Sequence, residues 1–530
     1  MKPHDHAIPD GEERNKRAFV STITASGFAY LATITSFVTV PFYLKWLGVE
    51  AYGQFLTLLA FMGYLNFADA GLNWGALILI GQANGRDDKG EVAALFKHSS
   101  ALAFVSALLA MVASVAVYML SRAGHMLPMF AGGKSPGLSL LMIGLKSALM
   151  LSTSSVMAMA YGLQEGFFFS RIQGYFQVVG AGLMLAAAYR WRTVEAVVIA
   201  STVASGFACI ATFAMARQRY ATYLRLRGRF SLPTVRILLR TGAKGFLLQG
   251  SRLVRSTVPI LMIASWVGTT FVPTLTLPMT LLGVASGFLF NWSSSLQTAY
   301  GEAWAKGERD WIANSFKSVA IRGLGWMLLA SSLILGLGQT FIRIWTNGRV
   351  IVPTAMLVSA VAIVLAAWMT DTCIFALVGI NRQRRVAMAE LFNVGMSSLI
   401  TWGLCATGNQ NYIGLGVLAS ALVTSLAVAR TDLKAWLGTT AFEPDRTSVL
   451  KMLAVTAATF AIVYATRAVL GASPDPVFAW INMVLIGCLG AGTFAVGILL
   501  SGLRCDQWPG FEWKSLGAGW RSKMAGPRIA

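Results

Sequence analysis

The chain has 530 residues, of which 56% are hydrophobic and only 12% are charged. Soluble globular proteins usually contain about 25% charged residues, so this composition excludes an ordinary soluble domain and indicates an integral membrane protein. The formal net charge of +21 does not indicate nucleic-acid binding, because the basic residues lie between apolar runs and no nucleic-acid-binding motif accompanies them.

The predicted elements are membrane-spanning helices. A bilayer core of about 30 Å requires roughly 20 apolar residues in helical conformation. About fourteen runs of suitable length occur along the chain, so the predicted fold is an all-α integral membrane protein. The runs cover residues 18–44, 53–80, 99–120, 139–161, 173–189, 194–216, 245–266, 271–298, 319–341, 353–379, 388–407, 413–430, 451–470 and 478–501.

The polar connections predict the orientation of these helices. Lys and Arg concentrate in alternate connections, and cytoplasmic loops carry such an excess. We therefore predict that the N-terminal tail (residues 1–17) and the C-terminal tail (residues 502–530) are both cytoplasmic. The first apolar run is longer than a signal-peptide core, which predicts a retained helix. The connection at residues 217–244 holds eight Lys and Arg residues, and we expect it to contact anionic membrane lipids.

An internal repeat organises the predicted helices. The segment GQANGRDDKGEVAALFK (residues 81–97) aligns without gaps to GEAWAKGERDWIANSFK (residues 301–317). The same offset superposes the first six runs on the next six, which predicts two parallel six-helix bundles at residues 18–216 and 245–430. Two additional helices, at residues 451–501, then lie outside the repeat.

Residues around the second run carry a family resemblance. The segment PFYLKWLGVEAYGQF (residues 41–55), then DAGL (residues 69–72) and GRDD (residues 85–88), resembles the N-terminal signature of bacterial polysaccharide flippases of the O-antigen type. These belong to the multidrug/oligosaccharidyl-lipid/polysaccharide exporter superfamily. The resemblance implies bundles around a cavity that opens alternately to the two sides of the inner membrane.

The resemblance also implies a cargo, an oligosaccharide linked to polyprenyl pyrophosphate and used for lipopolysaccharide or exopolysaccharide synthesis. Other polysaccharide assembly proteins are then possible partners. No functional residue is carried over from the family, because its substrate-contacting charges do not occupy a fixed motif.

Cations inside the predicted spans are the first candidates for binding a pyrophosphate. Arg252 and Arg255 lie three residues apart on the seventh span, on one helix face. If Pro233 opens a continuous helix, they extend a row of cations that starts at Arg236, Arg240 and Lys244. Arginine suits phosphate oxygens, so Arg252 and Arg255 are predicted substrate-binding residues. The alternative is that the upper two reach back to the interface and the lower three bind lipid headgroups.

Lys146 and Asp69 are the other two predicted substrate-site residues. Lys146 lies near the outer end of the fourth span and could meet the transported head group, although its depth also allows it to reach the interface. Asp69 lies in a glycine-bracketed part of the second span. Its carboxylate could pair with an arginine, take up a coupling proton or cap a broken helix.

Two carboxylates are predicted ion-coupling residues, Asp371 in the tenth span and Glu390 near the start of the eleventh. A buried carboxylate can bind a proton or a sodium ion and so couple transport to an ion gradient. Pairing with a polar neighbour, or an interfacial position, is the alternative for each. The five cysteines form no close pair, so neither a disulfide framework nor a metal site is predicted, and no cofactor is expected.

Three other functions compete with polysaccharide translocation. A cation-coupled multidrug exporter would share the fold, but its cargo would favour an acidic cavity. A peptidoglycan lipid-precursor flippase is also compatible with fourteen helices. A membrane glycosyltransferase, polymerase or ligase usually carries catalytic groups in a large outer loop, and the predicted outer loops are short. We therefore expect a transporter and not an enzyme.

Overall fold

The computed structural model describes residues 27, 31, 34–122, 136–163, 165–225, 231–305, 307–380, 382, 384–437, 446–470 and 476–500. Within these ranges the secondary structure is helical and contains no strand, which confirms the predicted all-α membrane class. Residues 34–46 form the described part of helix α1. The predicted tails at residues 1–17 and 502–530 lie outside the described residues.

The other helices follow in chain order. The first group comprises α2 (Val49–Leu65), α3 (Leu72–Gly85), α4 (Lys89–Arg122), α5 (Pro136–Gly162), α6 (Gly166–Trp191), α7 (Val194–Arg219) and α8 (Ala221–Arg225). The second comprises α9 (Leu232–Trp266), α10 (Val272–Ala305), α11 (Arg309–Trp345), α12 (Thr354–Gly379), α13 (Arg384–Ala406), α14 (Ile413–Val423), α15 (Ser425–Leu437), α16 (Arg446–Leu470) and α17 (Pro476–Leu500). Short 3-10 turns occupy Asn66–Asp69, Thr269–Phe271 and Gln410–Tyr412.

The described residues support ten membrane-crossing helices by length and composition, or eleven if the bent pair α2 and α3 forms one span. The predicted fourteen are therefore not confirmed. The first predicted span is only partly described. Helices α9 and α13 are long enough but are not among the ten, because both carry charged and amide side chains.

The chain divides into two compact units. The first comprises Met1–Asn291, Gly338–Thr370 and Gln383–Val428, and the second comprises Trp292–Leu337, Asp371–Arg382 and Ala429–Ala530. In the first unit, α3, α4, α5 and α9 share a core whose fully buried residues include Ile80 and Leu238. In the second, α16 packs against α17, and Arg467 donates a hydrogen bond to the Gly336 carbonyl of α11 at 2.9 Å. The predicted division into two six-helix bundles stays a prediction.

The predicted span at residues 53–80 is not one straight helix, which corrects the sequence interpretation. Helix α2 ends at Leu65, and α3 begins at Leu72 after a bend of 49°. Ala70 (φ 47°) and Gly71 (φ 75°) adopt the left-handed conformation, which cannot continue a right-handed helix. We call the segment from Asn66 to Gly71 the helix break.

The helix break and α3 approach α9 without intervening side chains. A Cβ atom on Gly71 would lie 2.3 Å from the Gly242 carbonyl oxygen, and one on Gly75 would lie 2.6 Å from the Leu238 carbonyl oxygen. Only glycine allows backbones to approach so closely, as is common between helices in membranes. These contacts hold the first half of α9 against the bent pair.

A partly buried ion pair joins the start of α6 to the end of α7. The Arg219 guanidinium donates two hydrogen bonds to the Glu165 carboxylate, at 2.7 and 2.9 Å, and lies over the Phe168 ring at 3.8 Å. Tyr220 packs beside this pair, and burial followed by the Glu165 charge raises the pKa of its phenol well above the ordinary value. The two-pronged geometry fixes both helix ends.

Candidate functional site

Helix α9 carries most of the predicted cations. Ser231 caps it by accepting a hydrogen bond from the backbone N–H of Thr234 at 3.4 Å, and Pro233 occupies the first turn. The helix then continues to Trp266, which confirms the continuous helix predicted from Pro233. Arg236 and Arg240 are exposed and make no hydrogen bond or ion pair with any residue that the structure describes.

Arg255 and Glu390 meet inside the first unit, although sequence analysis assigned them separate roles. Arg255 Nη1 lies 3.1 Å from Glu390 Oε2, and the two side chains are only 3% and 0% exposed. The Asn393 amide donates to Glu390 Oε1 at 3.4 Å, and the Ser420 hydroxyl donates to Asn393 Oδ1 at 2.7 Å. This polar network therefore links α9, α13 and α14.

The polar network is electrically neutral and internally hydrogen-bonded. A charged side chain costs roughly 2.5 to 3.5 kcal/mol at the centre of a membrane helix on insertion scales. Pairing compensates that cost, and removing one partner of a buried pair typically costs about 3–5 kcal/mol. Substrate binding by Arg255 and ion coupling by Glu390 stay predictions. Either role would require the guanidinium and the carboxylate to separate.

Arg252 occupies a different environment from Arg255, one helical turn away. Its side chain is partly buried, and its guanidinium lies 4.3 Å from the centroid of the Phe290 ring on α10. A cation over an aromatic face gains about 0.5–2 kcal/mol. The substrate-binding role predicted for Arg252 is untested by this contact.

A cavity of about 460 Å³ lies among α1, α2, α5, α6 and α7 in the first unit, with Thr280 of α10 also lining it. This volume is typical of sites for organic ligands, which usually measure about 300–1,000 Å³. Helix α2 contributes a mainly apolar wall through side chains at helical spacing: Tyr52, Phe55, Leu56, Leu59 and Met62. We call this space the lysine cavity, because its lining includes Lys146.

Polar groups line the opposite side of the lysine cavity. Gln173 and Gln177, one turn apart on α6, contribute amides that form no hydrogen bond with the described residues. Ser201 and Ser205 on α7 contribute hydroxyls that donate to carbonyls of their own helix, at 2.8 and 2.9 Å. Their oxygen lone pairs remain able to accept hydrogen bonds. The wall can therefore both donate to and accept from a polar ligand.

Lys146 supplies the one formal charge among the described residues that line the cavity. It is partly buried on α5, and it makes no hydrogen bond or ion pair with the described part of the chain. An ammonium carries three donors, and an unpaired charge at membrane depth indicates a functional site. The structure thus places Lys146 in a cavity of ligand size, while its binding role stays a prediction.

Asp69 lies at the end of the 3-10 turn in the helix break. Its Oδ2 atom accepts a hydrogen bond from the backbone N–H of Asn73, in the first turn of α3, at 3.3 Å. This hydrogen bond satisfies one backbone N–H in the first turn of α3, whose cap position is Gly71, and the role of Asp69 stays a prediction. Its other oxygen, Oδ1, is buried and accepts no hydrogen bond from the described residues.

Asp371 lies in a different unit from the other predicted site residues. It is partly buried on α12 and belongs to the second unit, whereas Lys146, Asp69, Arg252, Arg255 and Glu390 belong to the first. Its ion-coupling role stays a prediction.

Sequence analysis missed two groups of site residues. It overlooked the polar faces of α6 and α7, for which the four-residue spacing of Gln173 and Gln177 and of Ser201 and Ser205 was an available signal. It also overlooked Asn393 and Ser420, which the polar network requires. Asn393 follows Glu390 by three residues, so a shared helix face was predictable.

Fold and site together describe a polytopic helical membrane protein with a partly polar cavity, in which Lys146 is the one charged residue among the described lining residues. No family model matches the chain, and no curated protein matches its sequence. Solved structures do match, and they show that the chain shares its fold with transporters and flippases of known structure.

Three of these structures illustrate the similarity. The lipid II flippase MurJ in an inward closed conformation matches with a TM-score of 0.68 and 11% identity, covering 91% of this chain and 100% of that chain. An inward-facing multidrug resistance transporter of the MATE family matches with a TM-score of 0.58 and 16% identity, covering 80% and 99%. A MATE transporter in complex with MaD3S gives 0.57 and 16%, covering 80% and 97%. Identities this low establish the fold and leave the cargo open.

Proposed function

We propose that the protein translocates an oligosaccharide linked to polyprenyl pyrophosphate across the bacterial inner membrane, by alternating access, for surface polysaccharide synthesis. The observation that carries this proposal is the lysine cavity, with its single cation and its amide and hydroxyl wall. A pyrophosphate needs cationic hydrogen-bond donors, and a glycan needs donors and acceptors together. The cavity contains all three kinds of group.

The charge of the cavity supports an anionic cargo. Lys146 has no carboxylate beside it among the described lining residues, so a cationic drug entering the cavity would meet uncompensated like charge. A diphosphate would instead satisfy the Lys146 ammonium, which has no hydrogen-bond or ion-pair partner among the described residues. Complementarity of charge therefore favours a phosphorylated lipid carrier over a cationic drug.

The exposed cations of α9 support capture of the same cargo at the predicted cytoplasmic surface. Arg236 and Arg240 lie one turn apart and are exposed, and each cation near an anionic surface contributes about 1 kcal/mol of attraction. Arg252 lies about 18 Å further along α9 than Arg240, given 1.5 Å of rise per residue. A pyrophosphate carrier would thus meet cations first at the membrane surface and then at depth.

Alternating access needs contacts that open and close. The end of α11 and the turn after it contact α1, where Trp345 Nε1 donates to the Phe37 carbonyl at 3.0 Å and Arg349 donates to the Leu44 carbonyl at 3.2 Å. Both acceptors are backbone carbonyls, and Phe37 also stacks on Trp345 at 4.8 Å. Our proposal assigns these contacts to the closure on the predicted outer side.

A peptidoglycan lipid-precursor flippase is the second candidate. The structure of the lipid II flippase MurJ covers 91% of this chain, whereas that of the inward-facing MATE transporter covers 80%. Both flippase cargoes share the polyprenyl pyrophosphate, so the lysine cavity suits either one. The glycan therefore decides between these two functions.

Deletion in the source bacterium tests the proposal. We expect loss of one surface polysaccharide, with its carrier-linked oligosaccharide accumulating on the cytoplasmic face of the inner membrane. Complementation by the wild-type chain should restore the polysaccharide. Accumulation of peptidoglycan precursor instead would support the second candidate, and normal surface polysaccharide without any accumulated intermediate would reject both.

A further inference from the structure

We propose that the helix break forms a binding site for one monovalent cation, Na⁺ or a proton, with Asn66, Asp69 and Asn73 as its side-chain ligands. Ion binding at this site does not depend on which cargo the protein transports. The use of this site to couple transport to an ion gradient rests on the proposed function. Sequence analysis gave uptake of a coupling proton as one of three alternatives for Asp69, and its two predicted ion-coupling residues, Asp371 and Glu390, are different groups.

Three buried oxygen atoms at the break carry the proposal. Asn66 Oδ1, Asp69 Oδ1 and Asn73 Oδ1 are all buried, and none accepts a hydrogen bond from a described residue. Buried polar atoms in proteins are nearly always satisfied, and each exception calls for an explanation. All three atoms are hydrogen-bond acceptors, so they cannot pair with one another. A bound cation or a proton would supply the missing positive partner.

The local backbone places the three residues within seven positions of one another, across the 3-10 turn and the first turn of α3. Asn66 and Asp69 are the first and last residues of the 3-10 turn, and side chains three residues apart eclipse one another in a 3-10 helix. Asp69 in turn reaches the backbone N–H of Asn73 through its Oδ2 atom, at 3.3 Å. The carboxylate therefore lies between the two amides in sequence and is in direct contact with the turn that carries the second.

The charge of the set selects a monovalent ion. One carboxylate and two neutral amides carry a single negative charge, which one Na⁺ or one proton neutralises. Calcium usually takes six to eight oxygen ligands, and magnesium requires near-ideal octahedral geometry. Sodium and proton sites in transporters commonly lie where a membrane helix is interrupted, because unwound backbone also offers its carbonyls.

Glu390 is less suited to such binding than Asp69. The Glu390 carboxylate is already compensated by Arg255, with Nη1 and Oε2 at 3.1 Å, so a cation would have to displace a guanidinium. Asp69 forms no ion pair with the described residues and keeps one oxygen available. The available carboxylate is therefore the one at the helix break.

The position of the site gives it a mechanical link to α9. A Cβ atom on Gly242 would lie 2.4 Å from the Gly71 carbonyl oxygen, so the two backbones are in direct contact. A change in the conformation of the helix break would therefore act on the helix that carries Arg252 and Arg255. Cation binding at the break can then favour one arrangement of α9 over another, which is what ion coupling requires.

Ion binding to the purified full-length protein tests the inference. In sodium-free buffer we would measure saturable ²²Na⁺ binding and, separately, proton release after a pH step, for the wild type and for Asp69→Asn. The asparagine keeps an oxygen that can cap Asn73, so the fold should be retained. We expect one ion per chain, bound at least about tenfold more weakly by Asp69→Asn, because a charge-assisted contact is lost. Glu50→Gln, which removes an exposed carboxylate on α2, is the matched control and should bind as the wild type.

The two measurements, sodium binding and proton release, distinguish the two ions. They also test the ion site independently of the proposed function. Saturable sodium binding that depends on Asp69 assigns Na⁺, and proton release that depends on Asp69 without sodium binding assigns the proton. If Asp69→Asn unfolds, Asn66→Ala and Asn73→Ala should each weaken the same signal. Binding that is identical in all these variants, or absent from the wild type in both arms, would overturn the site. Ion binding that depends on Asp69, in a protein that translocates no polyprenyl pyrophosphate, would leave the site standing and reject the proposed function.

Discussion

The polar network around Arg255 and the lysine cavity both place charge inside apolar helices, but they treat it in opposite ways. Arg255 is buried and meets a carboxylate, whereas Lys146 opens into a cavity and meets no carboxylate among the described residues. Sequence analysis ranked Arg255 above Lys146, because it counted depth and charge but not partners. The difference teaches that a membrane cation indicates a ligand site chiefly when the protein itself leaves the charge uncompensated.

The largest expected effect is a loss of stability when the polar network around Arg255 is broken. Arg255→Ala should destabilise the protein by about 3–5 kcal/mol, because it leaves the Glu390 carboxylate buried without a counter-charge. Denaturant unfolding in detergent would measure the change. Replacing both residues by leucine should recover most of the stability, since no charge then remains unpaired.

Arg252→Ala is the matched control for this experiment. Its guanidinium lies over Phe290 and is only partly buried, so a loss of about 0.5–2 kcal/mol is expected. A fully stable Arg255→Ala variant that fails to translocate cargo would contradict the structural role and support the substrate-binding role predicted from sequence.

A smaller effect is expected where α9 touches the helix break. Gly242→Ala would place a Cβ atom 2.4 Å from the Gly71 carbonyl oxygen, and overpacking of this kind typically costs about 1–3 kcal/mol. Thermal unfolding would report the loss. Gly283→Ala in α10 is the control, because its Cβ atom would meet nothing within 4 Å. Equal stability of the two variants would show that the contact between the break and α9 is looser than described.

Substitution of Lys146 in the lysine cavity should change ligand affinity more than the stability of the protein. Lys146→Ala should weaken binding of a short-chain polyprenyl pyrophosphate by roughly tenfold or more, since a charge-assisted hydrogen bond contributes about 1.5–3 kcal/mol. Calorimetric titration in detergent would measure the affinity. Lys146→Arg should bind nearly as well as the wild type, because it keeps the charge. An unchanged affinity in the alanine variant would remove the cavity from the account.

The smallest expected effect concerns the exposed cations of α9. Arg236→Ala and Arg240→Ala should each lower the preference for anionic lipids by about 1 kcal/mol. Retention of labelled anionic lipid by the purified protein would measure this, with the loss fading at high salt. A lipid preference that is insensitive to both substitutions would contradict the headgroup contact predicted for residues 217–244.

Hydropathy was sufficient to predict the fold class but not every span. Apolar runs of about 20 residues identify helices such as α12 directly, because lipid requires backbone hydrogen bonds to close within the helix. The interruption at Ala70 and Gly71 was signalled by Asp69 between glycines, yet the bend itself depends on how α3 packs against α9. Counting spans from hydropathy becomes ambiguous where polar side chains pair between helices, as those of α9 and α13 do.

The candidate site was less predictable than the fold. Arg255 and Glu390 are separated by 135 residues, and no local pattern states that two such residues meet. The face of α6 that carries Gln173 and Gln177 was readable from spacing, but only packing shows that it borders the same cavity as Lys146. Local sequence thus predicts which face of a helix is polar, whereas the partner of each polar group depends on tertiary structure.

The most direct test of the central claim is a translocation assay on the purified protein in liposomes. Fluorescent polyprenyl-pyrophosphate-linked oligosaccharide, placed in one leaflet, would be followed by its exposure to a membrane-impermeant quencher in the other leaflet. A labelled cationic drug would be tested in parallel. We expect translocation of the oligosaccharide by the wild type, a strong loss in Lys146→Ala and recovery in Lys146→Arg, with no transport of the drug. Transport of the cationic drug, with no movement of the pyrophosphate-linked oligosaccharide, would contradict the account.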